Sequence, residues 1–288
     1  TVLRDAARTP GGDTVRWSNV SAIASVDLRR LFKSKDYWIP LVLLGSLFFV
    51  VIPFVALSVV TAVGDTPLAD QITGIVGNLP DSIGDSAPVD SPAARAAYVI
   101  AVYMLAPIAI IVPLTISVAV ASNAIVGERE RGTGEFLANS PLTTREIYYG
   151  KLVASLVPGF LATVVGFTLY ALVVNLTVGP DMGGWFFPTS GWFMLILWII
   201  PPFIGVAISI VLRMSARMRS AAAAQQSSSL VTLPIIILSY AVSARVISTP
   251  NSSALLIGAI AWMVAILLSI RGAGKLKRER LLGVASET

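Results

Sequence analysis

The sequence of 288 residues contains no cysteine and no histidine, and only 13% of its residues are charged. Without these residues the chain has no disulfides, no thiol chemistry and no imidazole ligands, and we expect no metal site. Soluble domains carry about 25% charged residues. Here 55% of the residues are hydrophobic and the mean hydropathy is +0.80. Such a chain has too little polar surface to face water on all sides, so it must bury apolar sides against lipid.

Six long apolar stretches are predicted to cross a hydrocarbon core of roughly 30 Å as helices. They are continuous rather than alternating, which is typical of helices and not of a membrane barrel. The last two are short and are joined by a tight link at 248–253, so we expect a hairpin whose outer end can be re-entrant. The sequence predicts an all-α membrane protein with one transmembrane domain over 1–288. The predicted spans are 39–63, 96–126, 152–178, 191–212, 230–247 and 254–270.

The basic residues predict the orientation of these spans, because Lys and Arg accumulate in cytoplasmic loops. Of the 21 Lys and Arg residues, only Arg95 and Arg245 lie outside the N-terminal segment, the 127–151 and 213–229 loops and the tail. The loop 64–94 instead carries five aspartates. We therefore expect both termini in the cytoplasm and 64–94 outside the cell. The first apolar run is too long for a signal peptide, and we expect it to be retained as span one.

Residues 18–36 form a separate element before the first span. Apolar residues recur there at helical spacing, while Arg29, Arg30 and Lys33 lie toward the other side. This pattern predicts a basic amphipathic helix in the cytoplasmic interface of the membrane. A solvated helix beside the membrane is the alternative interpretation. The aromatic residues expected at headgroup level are Trp17, Tyr37 and Trp38.

The predicted spans contain few groups that could drive transport. Ion-coupled transporters place ionisable residues inside the membrane, and here only Arg245 lies near an outer end. Gly150-Lys151 lacks the hydroxyl and the earlier glycine of a phosphate-binding loop. We therefore expect no cofactor on this chain, with any ATP and Mg²⁺ bound elsewhere. Most polar residues in the spans are interpreted as packing groups. Those considered for a substrate pathway are Thr115, Asn123 and Asn175.

The most specific stretch is the charged loop that follows the second span, at 127–150. It is predicted to form a short helix, to break at Pro141, and to start the next helix at a capping box of Thr143 and Glu146. Its charges alternate in sign, which suits docking on a charged groove of a partner. A self-satisfied helix with internal ion pairs explains the same pattern. Both interpretations stay open at this point.

This loop resembles the signature of the type-2 permease family of ABC transporters, in the sodium- and drug-exporter-like branch. Asp27 and Arg30 before span one, and Ala224-Gln225-Gln226 before span five, also fit the family pattern. The resemblance covers most of the chain. The matching loop positions are Glu128, Glu130, Gly132, Thr133, Glu135, Leu137, Pro141, Leu142, Glu146, Ile147, Gly150 and Lys151.

The resemblance implies a mechanism in which two six-span subunits pair and two separate ATPase subunits bind below them. The 127–150 loop would be the coupling helix, and 18–36 an interfacial elbow with Asp27, Arg29 and Arg30. Asp27 would pair with a basic group of the loop or of the partner. The coupling residues implied in this way are Glu128, Arg129, Glu130, Arg131, Thr133, Glu135, Phe136, Pro141 and Leu142.

The sequence thus favours the permease subunit of an ABC exporter in the plasma membrane of a prokaryote, without enzymatic activity of its own. The expected partners are an ATP-binding subunit, a second permease copy or paralogue, and the lipid bilayer. A nucleic-acid partner is not expected, because the basic residues flank spans instead of clustering on a soluble domain. The alternative is a non-transporting scaffold or sensor that binds an ATPase to relay a signal. The uncharged walls favour an amphiphilic or apolar cargo.

Overall fold

The computed structural model describes residues 15–64, 91–218, 220–248 and 252–275. Within these ranges the protein consists of helices and their connections, and no strand occurs. Most of the predicted outer loop 64–94 lies outside the described residues. The α-helices in chain order are α1 (Trp17–Lys33), α2 (Lys35–Ser46), α3 (Ile52–Val63), α4 (Pro92–Val99), α5 (Ile108–Asn123), α6 (Val126–Glu130), α7 (Gly134–Ala138), α8 (Thr144–Thr177), α9 (Ser190–Met194), α10 (Ile200–Ser215), α11 (Ala221–Ser248) and α12 (Ser252–Lys275).

Among the described residues, six helical stretches are long and apolar enough to cross a membrane, which confirms the predicted number. Short π-helical segments join several α-helices into these continuous spans. Even the shortest span, with 21 residues, reaches about 31 Å at ~1.5 Å per residue. In order, spans one to six are Tyr37–Ala62, Pro92–Asn123, Thr144–Thr177, Ser190–Ser215, Ala221–Ile247 and Ala254–Gly274.

The fifth and sixth spans are longer than the sequence analysis predicted. Span five begins at Ala221 instead of 230, and span six extends to Gly274. Residues 221–229 are alanine, glutamine and serine, which have low hydropathy, but alanine and glutamine favour helix. The Ser220 hydroxyl accepts a hydrogen bond from the Ala223 N–H at 3.2 Å at the helix start. The predicted short hairpin is therefore wrong in length, and its outer link at 249–251 lies outside the described residues.

The longer helices also bring charged residues inside their bounds. Six charged residues that were predicted to lie outside the spans lie within spans two, three, four and six. They are Arg95, Arg145, Glu146, Lys151, Arg213 and Arg271. Each lies within about two turns of a helix end, as Arg245 does in span five. The middle of every described span is free of Asp, Glu, Lys and Arg. The correction therefore moves the boundaries of the spans and leaves their uncharged centres unchanged.

Spans two and four form the centre of the bundle. Both are largely buried, and span three packs along span two. Spans one and six have mostly exposed apolar side chains. Because these exposed faces are apolar, they suit lipid or another membrane subunit.

Span two has a break that its neighbours stabilise. A π-helical turn at Ile100–Met104 precedes Pro107, which has no N–H to continue the helix. The Tyr170 hydroxyl donates to the carbonyl oxygen of Ala101 at 2.5 Å, and the Trp192 indole N–H donates to that of Val102 at 3.0 Å. Side chains of spans three and four thus satisfy carbonyl groups at the break, which a hydrocarbon environment would otherwise leave unpaired.

Candidate functional site

Helix α1 packs closely along the start of span three. Val20, Ile23 and Ala24 are its buried residues, which agrees with the apolar face predicted from the sequence. A Cβ atom at Gly150 would lie 2.7 Å from side-chain atoms of Ile23, so only a glycine allows this approach. The Gly150 of the loop signature therefore sets the distance between α1 and span three.

An ionic cluster lies where α1, the charged loop and span three meet. The Lys151 Nζ lies 2.7 Å from Asp27 Oδ2 and 2.8 Å from Glu128 Oε1. The Lys151 side chain is 4% exposed, and those of Asp27 and Glu128 are 16% and 8% exposed. Lys151 therefore ties two carboxylates together away from water. One of them belongs to α1 and the other to the loop, so the cluster joins three elements that are distant in sequence.

Two arginines complete this cluster at its outer edge. Arg30 Nη1 and Arg131 Nη2 lie 3.3 Å and 3.4 Å from the same Glu128 Oε1. Both arginine side chains are about half-exposed, unlike the Lys151 side chain. Glu128 is therefore the central acid of the cluster. Arg29 is exposed on α1 and lies outside these contacts.

The electrostatics of Glu128 favour its charged form. Burial alone would raise its pKa, but the charge and hydrogen bond of Lys151, a hydrogen bond from Thr133 and the charge of Arg131 outweigh that effect. Together they lower the pKa of Glu128 to about 2. Glu128 is therefore ionised at any physiological pH, and the cluster is a permanent ionic connection and not a proton switch.

The turn between α6 and α7 is bound to the same carboxylate. The Thr133 hydroxyl donates to Glu128 Oε2, and the Thr133 N–H donates to the Glu128 carbonyl oxygen at 2.9 Å. Gly132 has a φ of +70°, a left-handed conformation that favours glycine. Gly132 and Thr133 of the loop signature therefore have a local task, since they turn the chain back over Glu128.

The predicted capping box is confirmed and does more than start a helix. The Glu146 N–H donates to the Thr143 hydroxyl at 3.1 Å, and the Thr143 N–H donates to Glu146 Oε2 at 2.7 Å. The other carboxylate oxygen of Glu146 accepts from the Arg16 N–H at 2.9 Å and from Asn19 Nδ2 at 3.0 Å. The cap of span three thus also fastens the beginning of α1.

Arg129 and Glu130 contact the ends of two other spans. Arg129 Nη2 donates to the carbonyl oxygens of Ser215 and Met218, at the end of span four. Glu130 Oε1 accepts from the Ala221 N–H at 2.8 Å, at the start of span five. A cation at a helix C-terminus and an anion at a helix N-terminus both complement the helix dipole. The alternating charges of this part of the loop therefore match two helix ends.

Three side chains in the middle of the loop face outward. Phe136 is 80% exposed, the most exposed large apolar side chain of the described residues. Glu135 and Pro141 are also exposed, while Leu142 is half-buried against the core. We call Glu135, Phe136 and Pro141 the outer surface of the loop. Residues 128–133 are therefore internally paired, whereas Glu135, Phe136 and Pro141 face outward. The docking interpretation of the loop stays a prediction that concerns these three outward residues.

The three residues considered for a substrate pathway lie in two different places. Thr115 and Asn123 are exposed on span two and line a cavity of about 620 Å³ beside the ionic cluster. Asn175 is buried near the other end of span three. Its Nδ2 donates to the carbonyl oxygens of Ala171 and Phe187, and its Oδ1 accepts from the N–H groups of Phe186 and Phe187. An asparagine side chain has four such bonding positions. Three of them fasten the 183–188 turn and one bonds the helix of Asn175 itself, so all four are used.

Sequence reasoning did not identify Lys151 as the centre of the cluster. In the sequence, Lys151 was interpreted as a basic residue of the 127–151 loop, as a signature position and as part of a rejected phosphate-binding loop. The signal available in the sequence was that Glu128 and Lys151 stand near the two ends of the same charged loop. The contacts of Arg129 and Glu130 with spans four and five had no signal in the sequence, because those partners lie 86 to 91 positions away.

The fold is that of a multi-pass membrane protein. Comparison with protein families matches residues 21–256 to the family described as ABC-2 family transporter protein. The match covers most of α1, the loop and spans one to five, so the chain belongs to this family. A comparison with curated proteins returns no significant match. The protein is therefore a multi-pass membrane permease subunit of an ABC transporter.

Proposed function

We propose that this protein forms the translocation pathway of an ABC exporter as a dimer, and that separate ATPase subunits bind the outer surface of its 127–150 loop. The observation that carries the proposal is the ionic cluster. It joins the loop to α1 and to span three, so a displacement of the loop would be transmitted to both.

The outer surface of the loop supports the docking part of the proposal. Phe136 offers a large exposed aromatic side chain, and Glu135 lies directly beside it in sequence. Buried aromatic anchors dominate the binding energy of many protein interfaces. Behind this surface the loop is held by Glu128, Arg129 and Thr133 through contacts inside the permease. A docked ATPase subunit would therefore push on a braced element.

The assignment of ATP hydrolysis to a separate subunit follows from the chemistry of the chain. No phosphate-binding loop is present in its sequence, and the centres of the described spans carry no ionisable group for ion coupling. Among the described residues there is also no group of acidic side chains that could hold a metal ion. ATP and Mg²⁺ therefore belong to the partner subunit in this proposal, and both termini and the loop lie in the cytoplasm with it.

Hydrolysis and transport assays test this proposal. The purified chain should not hydrolyse ATP, and reconstitution with an ATP-binding subunit encoded next to its gene should give hydrolysis. Phe136→Ala and Glu135→Lys should each lower the coupled hydrolysis at least about tenfold, as loss of an interface anchor does. Membrane insertion and thermal stability should stay unchanged, because both side chains are exposed.

The control for these variants is Asp181→Asn, an exposed residue on the opposite side of the bundle. It should leave hydrolysis and its coupling unchanged. ATP hydrolysis by the chain alone would refute the proposal that a separate subunit hydrolyses ATP. Full coupling in both loop variants would refute the proposal that the ATPase subunit binds the outer surface of the loop. ATP-dependent export from vesicles is expected, whereas hydrolysis without any transport would favour the scaffold or sensor instead.

A further inference from the structure

Two cavities adjoin each other beside the ionic cluster, between span one and spans two and three. The larger has a volume of about 620 Å³ and the smaller about 290 Å³. Three side chains, Tyr37, Leu41 and Ile116, line both of them. The cavities therefore meet at a shared wall, and they differ sharply in chemistry.

The larger cavity has a charged end that carries a net positive charge. Asp27, Glu128, Lys151, Arg30 and Arg131 all line it, which leaves one cation more than the carboxylates. Lys151 is enclosed between the two acids, whereas the arginine side chains are each 49% exposed. A guanidinium has five N–H donors in a fork that matches phosphate oxygens. This end of the cavity therefore suits an anionic headgroup.

The smaller cavity has an apolar lining. Phe49, Val112, Leu161 and Val165 are among its walls, and Ser46 is one of its few polar residues. Leu161 and Val165 are also exposed on the outer face of span three. The cavity therefore opens toward the region that hydrocarbon chains occupy, and its walls suit an acyl chain.

The shared wall contains a polar group that lacks a partner. The Tyr37 hydroxyl is buried, and among the described residues it has no hydrogen-bond partner. A buried hydroxyl is costly unless it is hydrogen-bonded. The ester oxygens of a lipid lie between its phosphate and its acyl chains, so they would meet this hydroxyl between the two cavities.

We propose that the two cavities together bind one anionic phospholipid, with its phosphate at Arg30 and Arg131 and an acyl chain in the smaller cavity. The dimensions agree with this. Lys151 and Val165 are 14 residues apart in one helix, which is about 21 Å. One bilayer leaflet measures roughly the same from headgroup to midplane. The charged end of the site lies at the 127–150 loop, which the proposed function places in the cytoplasm, so the lipid would belong to the cytoplasmic leaflet. This orientation rests on the proposed function, but the binding site itself does not.

Native mass spectrometry of the purified full chain in detergent tests the site. The protein is titrated with phosphatidylglycerol or with zwitterionic phosphatidylcholine of the same chain length. We expect one phosphatidylglycerol to bind about tenfold more tightly than phosphatidylcholine, since two basic side chains face its charge. Glycerol 3-phosphate, which has the anionic group without acyl chains, should not displace the lipid at an equal concentration.

Matched variants separate the two halves of the site. Arg30→Gln and Arg131→Gln should each reduce the preference for phosphatidylglycerol, while Lys33→Gln, an exposed cation of the same helix α1 outside the cavity lining, should leave it unchanged. A Cβ at Gly45, in the wall of the smaller cavity, would meet no atom within 4 Å. Gly45→Leu should therefore add apolar side-chain volume at that wall and weaken the binding of both lipids.

Equal binding of the two lipids by the unchanged protein would overturn the proposal, as would an equal loss in Lys33→Gln and Arg30→Gln. Displacement by glycerol 3-phosphate would mean a simple anion site and would overturn the acyl-chain part. The lipid-binding assay needs neither an ATPase subunit nor a defined orientation of the protein in a membrane. Failure of lipid binding is therefore distinct from failure of the proposed export function.

Discussion

Replacing Glu128 by glutamine is the sharpest test of the ionic cluster, because it removes one charge and keeps the size of the side chain. The variant deprives Lys151, Arg30 and Arg131 of their shared carboxylate oxygen. Lys151 keeps its contact with Asp27 at 2.7 Å. The substitution therefore weakens the connection between the loop and span three without leaving Lys151 unpaired.

The expected loss of stability follows from the pKa of Glu128. A pKa lowered from 4.5 to about 2 corresponds to at most about 3 kcal/mol of stabilisation by the charged form. The half-exposed arginines admit water, which screens part of this interaction. We therefore expect Glu128→Gln to lower the free energy of unfolding by about 2 kcal/mol at pH 7. Lys151→Met should cost more, about 3–5 kcal/mol, since it leaves two acids in a buried site.

The lowered pKa of Glu128 also determines the direction in which stability changes with pH. Because the folded pKa lies below the ordinary value, the stabilisation is complete above pH 4.5 and is lost as the pH falls toward 2. The difference between the unchanged protein and Glu128→Gln should thus be constant from about pH 8 to 5 and shrink below about pH 4.5.

Unfolding by sodium dodecyl sulfate in bicelles, followed by the fluorescence of the six tryptophans, measures these free energies. The matched control is Glu135→Gln in the same loop, where the side chain is exposed, and it should change stability by less than about 0.5 kcal/mol. A loss at Glu128 no larger than at Glu135, or a difference that varies between pH 8 and 5, would refute the reasoning.

Three further predictions concern other parts of the fold. Gly150→Val should lower the free energy of unfolding by about 1–3 kcal/mol through the clash with Ile23. Adding Ile23→Ala should restore part of the lost stability. An unchanged unfolding curve of Gly150→Val would contradict the close packing. Asn175→Leu should cost about 2–4 kcal/mol, because buried backbone groups of the 183–188 turn lose their partner; calorimetry of the variant checks this, and a neutral result would contradict it. Since the chain has no cysteine, Trp185→Cys should be labelled from outside intact cells and Phe136→Cys only after permeabilisation; the reverse pattern would invert the orientation.

Much of the fold could be predicted because its signals are local in the sequence. The number of spans follows from hydropathy, and Thr143 and Glu146 form the predicted capping box three residues apart. The start of span five at Ala221 was not predicted, because its first residues are polar and hydropathy is a local signal. Hydropathy detects the part of a helix that lies in lipid, whereas 221–229 continues the helix beyond the apolar stretch.

The candidate site was predictable only in part. The sequence pointed to the loop, and the family resemblance implied that Asp27 pairs with a basic group of the loop or of a partner. In the structure Asp27 pairs with Lys151. It did not separate the residues that hold the loop from those that face outward. That separation depends on burial, and the charges of Glu128 and Glu135 look alike in the sequence although only Glu128 is buried.

By itself, then, the sequence determined which segments enter the membrane, how many spans they form and where one helix begins, since hydrophobicity and capping act over a few neighbouring residues. Only the tertiary structure decided what the polar residues do. Arg30 meets Glu128 across 98 positions, and Glu130 reaches the start of span five across 91. Such contacts exist only once the packing of the helices has brought their ends together, and the loop becomes a braced surface through that packing.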